Sequence, residues 1–404
     1  MTRWLHLALL LACLLTGRAS HAQAEEAQRQ VLVMLQLPKA HYRPDGSYAG
    51  TYGTAVGKQS RLQVAQSLAQ RHGLEMRSDW PMPLAGVECF VMRLPEGDTR
   101  SSAQVAEAVA EDRRVAWAQP VSLYQAEGST RDEPLYAAQP AAQQWQLAEL
   151  HKLATGRGVR VAVVDSGVDA GHPDLAGQLV HHQNYVDTRP APAESHGTEV
   201  AGIIAARADN GAGIAGIAPQ ARLLALRACW QAGPGQTLCT SLGLAKALYA
   251  AIQQGAHIIN LSLGGPDDRL LALLLDQAQA RGATIVAALP GKGGGSFPAS
   301  HPGVIVVGAA PPVPAGVLLA PGRDVPSTAP GGGWTVVTGS SFAAAHATGL
   351  LALVRELDTT GLQAAALRSA LVTAAQGRID SCATLARHVG TRAPACNPLG
   401  HTVD

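Results

Sequence analysis

Three short stretches of this chain carry, in order, an aspartate, a histidine and a serine: Asp165, His196 and Ser341. Acyl transfer by a hydroxyl group needs a serine nucleophile, an imidazole to take its proton and a carboxylate to orient the imidazolium. The three residue types are a complete set for this chemistry. Because they are far apart along the chain, only the fold can bring them together.

The elements around these residues predict where each side chain lies. The apolar run 159–164 is typical of a buried parallel strand, which puts Asp165 at its carboxyl end, where open α/β sheets place their sites. His196 begins a helical pattern. Ser341 opens a small-residue helix over 342–354, and its backbone N–H lies in the first turn, where no helical acceptor exists. That N–H is therefore a predicted donor to a developing oxyanion.

From Gln143 onward, strand and helix periodicities alternate. The predicted strands are 159–164, 223–226, 257–261, 284–288 and 304–307, and the predicted helices are 197–206, 241–254, 268–281 and 342–354. This order indicates an α/β fold with a doubly wound, mostly parallel sheet and helices on both of its faces.

A smaller unit precedes this sheet. Its predicted strands are 31–35, 87–94 and 115–118, and its predicted helices are 60–72 and 102–110, which gives a β-α-β-α-β order. The stretch 126–134 is polar and rich in turn-forming residues, as expected of a linker. We therefore divide the chain into residues 1–24, 25–127 and 128–404.

Six motifs in a fixed order resemble the subtilisin-like serine proteases. They are Asp165–Asp169, His172–Leu175, His196–Gly202, Asn210–Pro219, Ile258–Gly265 and Thr338–His346. The resemblance extends from about residue 143 to about residue 373. It implies a serine endopeptidase in which Ser341 attacks the peptide carbonyl, His196 carries the proton and Asp165 holds the imidazole.

The resemblance also implies a site for an extended peptide. Ser262, Leu263 and Gly264 would add the substrate as a further strand through main-chain hydrogen bonds. Ala287 and Ala288 would form a wall of the pocket for the residue before the cut.

One departure from the family pattern concerns the oxyanion. The family commonly ends the strand over 284–288 with Ala-Gly-Asn, whose amide side chain is the second oxyanion donor, but here Leu289–Lys292 follows. Losing one such donor typically costs about 10²–10³ in turnover. We expect the Ser341 N–H to be one donor and the backbone near Gly291, or Lys292, to supply the other.

The unit over 25–127 resembles the ferredoxin-like α+β propeptides that chaperone and inhibit enzymes of this family. This implies a zymogen, a propeptide that is an intramolecular inhibitor, and a monomeric enzyme whose partners are polypeptide substrates. The alternative is a stable accessory domain that is never removed.

The first 24 residues predict export. Arg3 precedes an apolar run over 5–15, and Ala22–Ala24 offers the small-x-small pattern that signal peptidase cuts. The run is too short for a membrane-spanning helix, which needs about 20 residues. The prediction is a secreted protein, periplasmic or extracellular.

Cysteine usage agrees with an oxidising compartment. Cys229 and Cys239 form one close pair and Cys382 and Cys396 another, so we predict two local disulfides. Zinc binding is the alternative to these disulfides, but neither cysteine pair has the spacing of a structural zinc site. The remaining Cys89 is interpreted as a small buried hydrophobe.

No cofactor is required for the predicted chemistry, although a structural Ca²⁺ is one expectation. Asp174 and Asn210 stand where relatives hold calcium with oxygen ligands. Ordinary hydrogen bonding within a turn is the equally weighted alternative for both residues.

Charge and motif spacing exclude other classes. The formal net charge is +1, from 31 basic and 30 acidic side chains, so no electrostatic argument favours nucleic acid or an anionic membrane. The glycine-rich run 291–296 lacks the phosphate-loop spacing. Two other functions stay open: a pseudoprotease that binds peptides without cutting them, and an esterase, for which the Gly-x-Ser-x-Gly elbow is absent.

Overall fold

The computed structural model describes residues 25–37, 50–126, 129–131, 139–233, 235–291, 295–358 and 364–389. The chain divides into two compact units, Met1–Leu123 and Tyr124–Asp404. Within the described residues, no helix combines the length and the apolar character that crossing a membrane requires.

The first unit is a four-stranded antiparallel sheet with two helices. Its elements are β1 (Gln30–Gln36), α1 (Gly50–His72), β2 (Glu75–Met82), β3 (Val87–Arg93), α2 (Ser102–Ala110) and β4 (Val115–Pro120). The sheet order is β2-β3-β1-β4, and neighbouring strands are antiparallel. The topology is the β-α-β-β-α-β arrangement of ferredoxin-like folds.

This topology corrects the predicted β-α-β-α-β order, which omitted β2. The sequence of β2, EMRSDWPM, has no regular alternation of apolar residues and contains Pro81. Proline is tolerated on edge strands, and β2 is an edge strand of this sheet. The strand is formed by its pairing with β3, which local periodicity does not reveal.

The second unit is built on a seven-stranded sheet. Its strands are β7 (Arg160–Asp165), β8 (Leu179–Asn184), β9 (Arg222–Arg227), β12 (Ile258–Leu261), β14 (Thr284–Ala288), β15 (Ile305–Gly308) and β16 (Leu318–Leu319). They lie in the order β16-β15-β14-β12-β7-β9-β8, and every neighbouring pair is parallel. The predicted α/β class and parallel sheet are confirmed.

Helices connect these strands. They are α3 (Pro140–Gln144), α4 (Leu147–His151), α5 (Ser195–Ala205), α6 (Ser241–Gln253), α7 (Arg269–Ala280), α8 (Ser340–Leu357), α9 (Ala364–Ala370) and α10 (Ser381–Val389). Side-chain caps start two of them: Thr240 accepts from the N–H of Gly243 and Asp268 from that of Leu271, each at 3.0 Å. The four predicted helices of this unit agree with α5, α6, α7 and α8 to within three residues at each end.

The central helix α8 is the core of this unit. Residues 341–354 are all buried, and their small side chains let α8 lie against the sheet and against α5. Gly349 shows how close this approach is, because a Cβ there would overlap the side chain of Ile217. The helix that carries Ser341 is therefore fixed by packing along most of its length.

Short strands complete the unit. They are β5 (Leu123–Ala126), β6 (Ser129–Arg131), β10 (Cys229–Gly233), β11 (Gln236–Thr240), β13 (Leu263–Gly264), β17 (Val325–Ala329), β18 (Gly333–Thr338), β19 (Val372–Thr373) and β20 (Ile379–Asp380). They form sheets in the orders β10-β11-β5-β13, β17-β18-β6 and β19-β20.

The predicted disulfide between Cys229 and Cys239 is present and joins the paired strands β10 and β11. Cys382 is also disulfide-bonded. Its predicted partner, Cys396, lies outside the described residues, as does the predicted signal segment 1–24. Cys89 is a buried thiol, as expected.

Candidate functional site

Asp165 and His196 meet at the carboxyl edge of the parallel sheet. Asp165 is the last residue of β7 and is 1% exposed, and His196 is the second residue of α5. The Nδ1 of His196 lies 2.7 Å from Asp165 Oδ1, which also accepts the N–H of Ser166 at 2.7 Å. The carboxylate therefore fixes both the orientation and the tautomer of the imidazole.

Ser341 reaches the same edge from the start of α8. Its Oγ donates to the carbonyl oxygen of Ser262 at 3.3 Å, and the Ser262 hydroxyl donates to the carbonyl oxygen of Ser341 at 3.1 Å. The ring of the next residue, Phe342, lies 5.7 Å from the ring of His196, centroid to centroid. The structure thus brings the three predicted residues to the same edge of the sheet.

Gly339 shapes the approach to Ser341. It caps α8 with φ 157° and ψ 163°, a conformation that is essentially restricted to glycine. Its N–H donates to the carbonyl oxygen of Gly322 at 2.8 Å. Glycine at this position lets the chain turn sharply from β18 into the helix that presents Ser341.

The predicted substrate strand is occupied by the chain itself. Leu263 and Gly264 form β13 and pair antiparallel with Ala126 and Gln125, respectively, in β5. In the sheet order β10-β11-β5-β13, β5 lies between β11 and β13. The backbone around Ser262 is therefore able to accept an extended peptide as an added strand.

The segment after β5 pairs with the strand that leads to Ser341. Ser129 in β6 is opposite Thr338 in β18, and Thr130 is opposite Val337. Glu127 and Gly128, which join β5 to β6, lie outside the described residues. The chain before this dipeptide thus pairs with the strand that follows Ser262, and the chain after it pairs with the strand that leads to Ser341.

Ala287 and Ala288 end β14 and are fully buried. Ala287 pairs in register with Leu261 of β12, the strand that precedes Ser262. Gly291 is exposed in the loop after β14, and Lys292 lies outside the described residues. The second oxyanion donor stays a prediction.

Asp174 and Asn210 form a hydrogen-bonded turn. Asp174 Oδ1 accepts from Asn210 Nδ2 at 2.8 Å, and its Oδ2 accepts from the N–H of Ile214 and from Trp334 Nε1, both at 2.9 Å. The Oδ1 of Asn210 accepts from the N–H of Ala212 at 3.0 Å. Because each of these side-chain oxygens faces an N–H donor, the pair does not fit a calcium ion as it is arranged.

A second carboxylate, Glu199, lies in the helix that carries His196. It is 1% exposed, and its Oε2 has no hydrogen-bond partner within the described part of the chain. Burial, with a smaller contribution from the charge of Asp165, raises the pKa of Glu199 to about 7, while His196 opposes the shift. Glu199 is not among the predicted site residues, although a lone acidic residue inside the apolar pattern of α5 is a visible signal.

His346 is separate from this cluster. It is buried in α8, where its Nδ1 donates to the carbonyl oxygen of Phe342 at 2.8 Å and its ring meets Trp145 edge-on at 5.8 Å. Burial lowers the pKa of His346 to about 4, so the ring is neutral. It is a packing residue of the core.

Comparisons with known proteins agree with this geometry. Residues 156–391, more than half of the chain, match the family model described as the subtilase family. The chain is 33% identical over 258 residues to thermitase of Thermoactinomyces vulgaris, an alignment that covers 60% of this chain and 90% of thermitase.

Other similar proteins include a thermophilic serine proteinase of Bacillus sp. (strain AK1), 38% identical over 212 residues, or 49% of this chain and 52% of that protein. The chain thus spans about half the length of that relative. An intracellular serine protease of Paenibacillus polymyxa is 36% identical over 232 residues, covering 52% of this chain and 70% of that protein.

Among solved structures, the chain is similar to fervidolysin from Fervidobacterium pennivorans, a keratinolytic enzyme related to subtilisin. The TM-score is 0.68 at 21% identity, with 88% of this chain and 60% of that chain covered. At this identity the likeness concerns the fold alone.

Proposed function

Because the chain belongs to the subtilase family of subtilisin-like serine proteases, we propose that it is a secreted serine endopeptidase made as a zymogen. Asp165, His196 and Ser341 are its catalytic residues. The observation that carries this proposal is the 2.7 Å contact between Asp165 and His196 at the same sheet edge as Ser341.

In the proposed mechanism, Ser341 Oγ attacks the carbonyl carbon of the scissile peptide bond while His196 Nε2 takes the hydroxyl proton. The negative charge that develops on the carbonyl oxygen is held by the Ser341 N–H and a second donor near Gly291. His196 then returns the proton to the leaving amine. Water, activated by the same imidazole, hydrolyses the acyl-enzyme and regenerates the serine.

The decisive test is Ser341→Ala, with Ser369→Ala as the matched control because Ser369 is exposed on α9. Wild type and Ser369→Ala should hydrolyse fluorescein-labelled casein and bind a fluorophosphonate covalently. Ser341→Ala should lose both, with a fall in turnover of about 10⁴-fold or more. Equal casein hydrolysis by Ser341→Ala would overturn the proposal.

The pairing of β5 with β13 supports the zymogen part of the proposal. An extended segment of the chain runs antiparallel to Leu263 and Gly264, as a substrate would. Ala126 is opposite Leu263, and Leu263 follows Ser262, whose carbonyl oxygen contacts Ser341. On the other side of the dipeptide 127–128, Ser129 is opposite Thr338 in the strand that leads to Ser341. These two pairings support the proposal that self-cleavage falls between Ala126 and Ser129.

Intact mass and N-terminal sequencing test this step. Expressed with its leader, Ser341→Ala should stop at a species that begins at Glu25. Wild type should yield a catalytic chain that begins at residue 127, 128 or 129. Identical processing of both proteins would show that the cut is made by another protease or not at all.

Export and a monomeric state belong to the same proposal. The leader over 1–24 and the disulfide between Cys229 and Cys239 support an oxidising destination. One similar protein is named an intracellular serine protease, so cell fractionation has to decide this point. Light scattering on Ser341→Ala should give the mass of one chain.

The missing oxyanion amide favours one alternative, a pseudoprotease that binds peptides without cutting them. Folded wild-type protein that resists the fluorophosphonate yet binds an extended peptide would establish that function. Slow but complete labelling would instead identify an enzyme whose rate is limited by its oxyanion site.

A further inference from the structure

A buried ion pair lies beside the proposed catalytic residues. Glu194 is 8% exposed and Arg227 is 4% exposed. Arg227 Nε donates to Glu194 Oε2 and Nη2 to Oε1, each at 2.8 Å, so the contact is bidentate. Pairs of this geometry hold both groups in fixed orientation.

Glu194 joins the turn after Asp165 to the start of the His196 helix. It precedes α5 and lies two residues before His196. Its Oε2 accepts the N–H of Gly167 at 2.6 Å, and its own N–H donates to the carbonyl oxygen of Gly167 at 3.0 Å. A side chain at Gly167 would collide with the carbonyl oxygen of Pro192, so the two segments are in direct contact.

The same carboxylate holds the hairpin of β10 and β11. Glu194 Oε1 accepts the N–H of Gln231 in β10 at 3.1 Å, and Gln231 Oε1 accepts the N–H of Ser195 at 3.3 Å. The other strand of the hairpin, β11, borders β5 in the sheet that receives the extended segment. The Glu194 carboxylate therefore contacts the aspartate turn and the hairpin, and the residue itself begins the histidine helix.

Arg227 anchors this carboxylate to the sheet. It is the last residue of β9 and pairs in register with Asp165 on β7. Its Nη1 donates to Asn184 Oδ1 on β8 at 3.1 Å. Burying an ion pair is a weak source of stability, because desolvation offsets the attraction, so its geometric effect is the more informative property.

We propose that Glu194 and Arg227 are a positioning pair that sets the placement of His196 relative to Asp165 and couples it to the hairpin beside the bound peptide strand. This inference rests on the proposed function. Neither residue touches a reacting atom. Their effect would arise because small displacements of catalytic groups reduce turnover steeply.

Glu194→Gln tests the pair, and Glu356→Gln is the matched control. Glu356 also accepts backbone N–H groups, those of Thr155, Gly156 and Arg157, but its site lies before β7, at the opposite end of the sheet. Each mature variant is assayed with quenched fluorogenic casein well below its own Tm. We expect Glu194→Gln to lower kcat by about 10²-fold with KM within about threefold of wild type. Glu356→Gln should lower Tm and leave kcat unchanged.

Arg227→Lys keeps the experiment decisive if Glu194→Gln does not fold. Lysine retains the charge but cannot make two parallel hydrogen bonds. The Arg227→Lys variant should fold, and its kcat should be about 10-fold lower than that of wild type. The rate of fluorophosphonate labelling should fall in parallel. If every folded variant of Glu194 or Arg227 has the wild-type kcat while Ser341→Ala is inactive, the positioning role is overturned and the proposed function is not. An active Ser341→Ala would instead overturn the proposed function.

Discussion

The two ends of the seven-stranded sheet differ in how their ionisable side chains are partnered. At the carboxyl end, Asp165, His196 and Glu199 place ionisable side chains in the interior next to one another. At the amino end, half-buried Glu356 accepts three backbone N–H groups, at 2.6, 2.6 and 3.0 Å. His257 similarly accepts the backbone N–H of Arg160 at 3.0 Å.

The difference separates function from stability. At the amino end, polar side chains satisfy the backbone, and this arrangement stabilises the fold at little electrostatic cost. At the carboxyl end, Glu199 is kept without a partner for Oε2. Groups that cost stability and persist in this way are typical of functional sites.

The largest expected effect is at the carboxyl end. Asp165→Asn keeps the shape of the side chain but removes the charge that stabilises the imidazolium and selects its tautomer. We expect kcat on casein to fall by about 10⁴-fold while the fold is preserved. Circular dichroism provides the control, and activity within tenfold of wild type would mean that Asp165 does not orient His196.

Glu199→Gln should change stability in a pH-dependent way. Burial raises the pKa of Glu199 in the folded state to about 7, above its ordinary value of 4.5. Between pH 4.5 and pH 7 the folded state therefore holds a proton that the unfolded state has lost. The stability of wild type therefore falls as pH rises from about 4.5 to 7, and the loss is complete above 7. Because glutamine does not ionise, the Glu199→Gln variant does not lose this stability as pH rises.

Urea denaturation at pH 5 and pH 8, in the Ser341→Ala background to prevent self-digestion, measures the effect. We expect Glu199→Gln to unfold like the parent at pH 5 and to be more stable at pH 8 by on the order of 1–3 kcal/mol. A variant less stable than the parent at pH 8 would show that the ionised carboxylate has a partner.

Glu356→Gln should act in the opposite direction. Replacing a carboxylate that accepts three N–H groups weakens charge-assisted hydrogen bonds, so we expect a loss of about 1–2 kcal/mol in the free energy of unfolding. Because this residue lies at the amino end of the sheet, we expect kcat to be unchanged. An equal change in kcat would contradict the separation of the two ends.

The smallest expected effect concerns calcium. Since the oxygens of Asp174 and Asn210 already accept N–H donors, a chelator should leave the Tm of the Ser341→Ala protein unchanged within about 1 °C. A fall in Tm that added Ca²⁺ reverses would restore the calcium prediction. Asp174→Asn then serves to locate the site.

Much of the α/β architecture followed from local sequence patterns. Strands such as Thr284–Ala288 are short apolar runs, and the helices Ser241–Gln253 and Arg269–Ala280 have capping residues at their starts. These signals are local, so they require no knowledge of the partner elements. The order of the motifs then indicated the family.

Other elements could not be predicted because their cause is not local. The strand Leu179–Asn184 contains two histidines and alternates weakly, and it is formed by its pairing with Arg222–Arg227. The pairing of Leu123–Ala126 with Leu263–Gly264 joins segments more than 130 residues apart. The polar, turn-rich composition from Ala126 onward predicts a linker there, so the end of the first segment carries no local signal of a strand.

The sequence by itself determined which groups are available for chemistry: a carboxylate, an imidazole and a hydroxyl, each at the end of a strand or the start of a helix. Only the tertiary structure decided their contacts, because the 2.7 Å contact between Asp165 and His196 depends on the packing of α5 over β7. It also decided that Glu194 pairs with Arg227 and that the oxygens of Asp174 are filled by N–H donors. Hydrogen bonds are effective over only about 3 Å, so contacts between distant segments are set by how the whole chain packs.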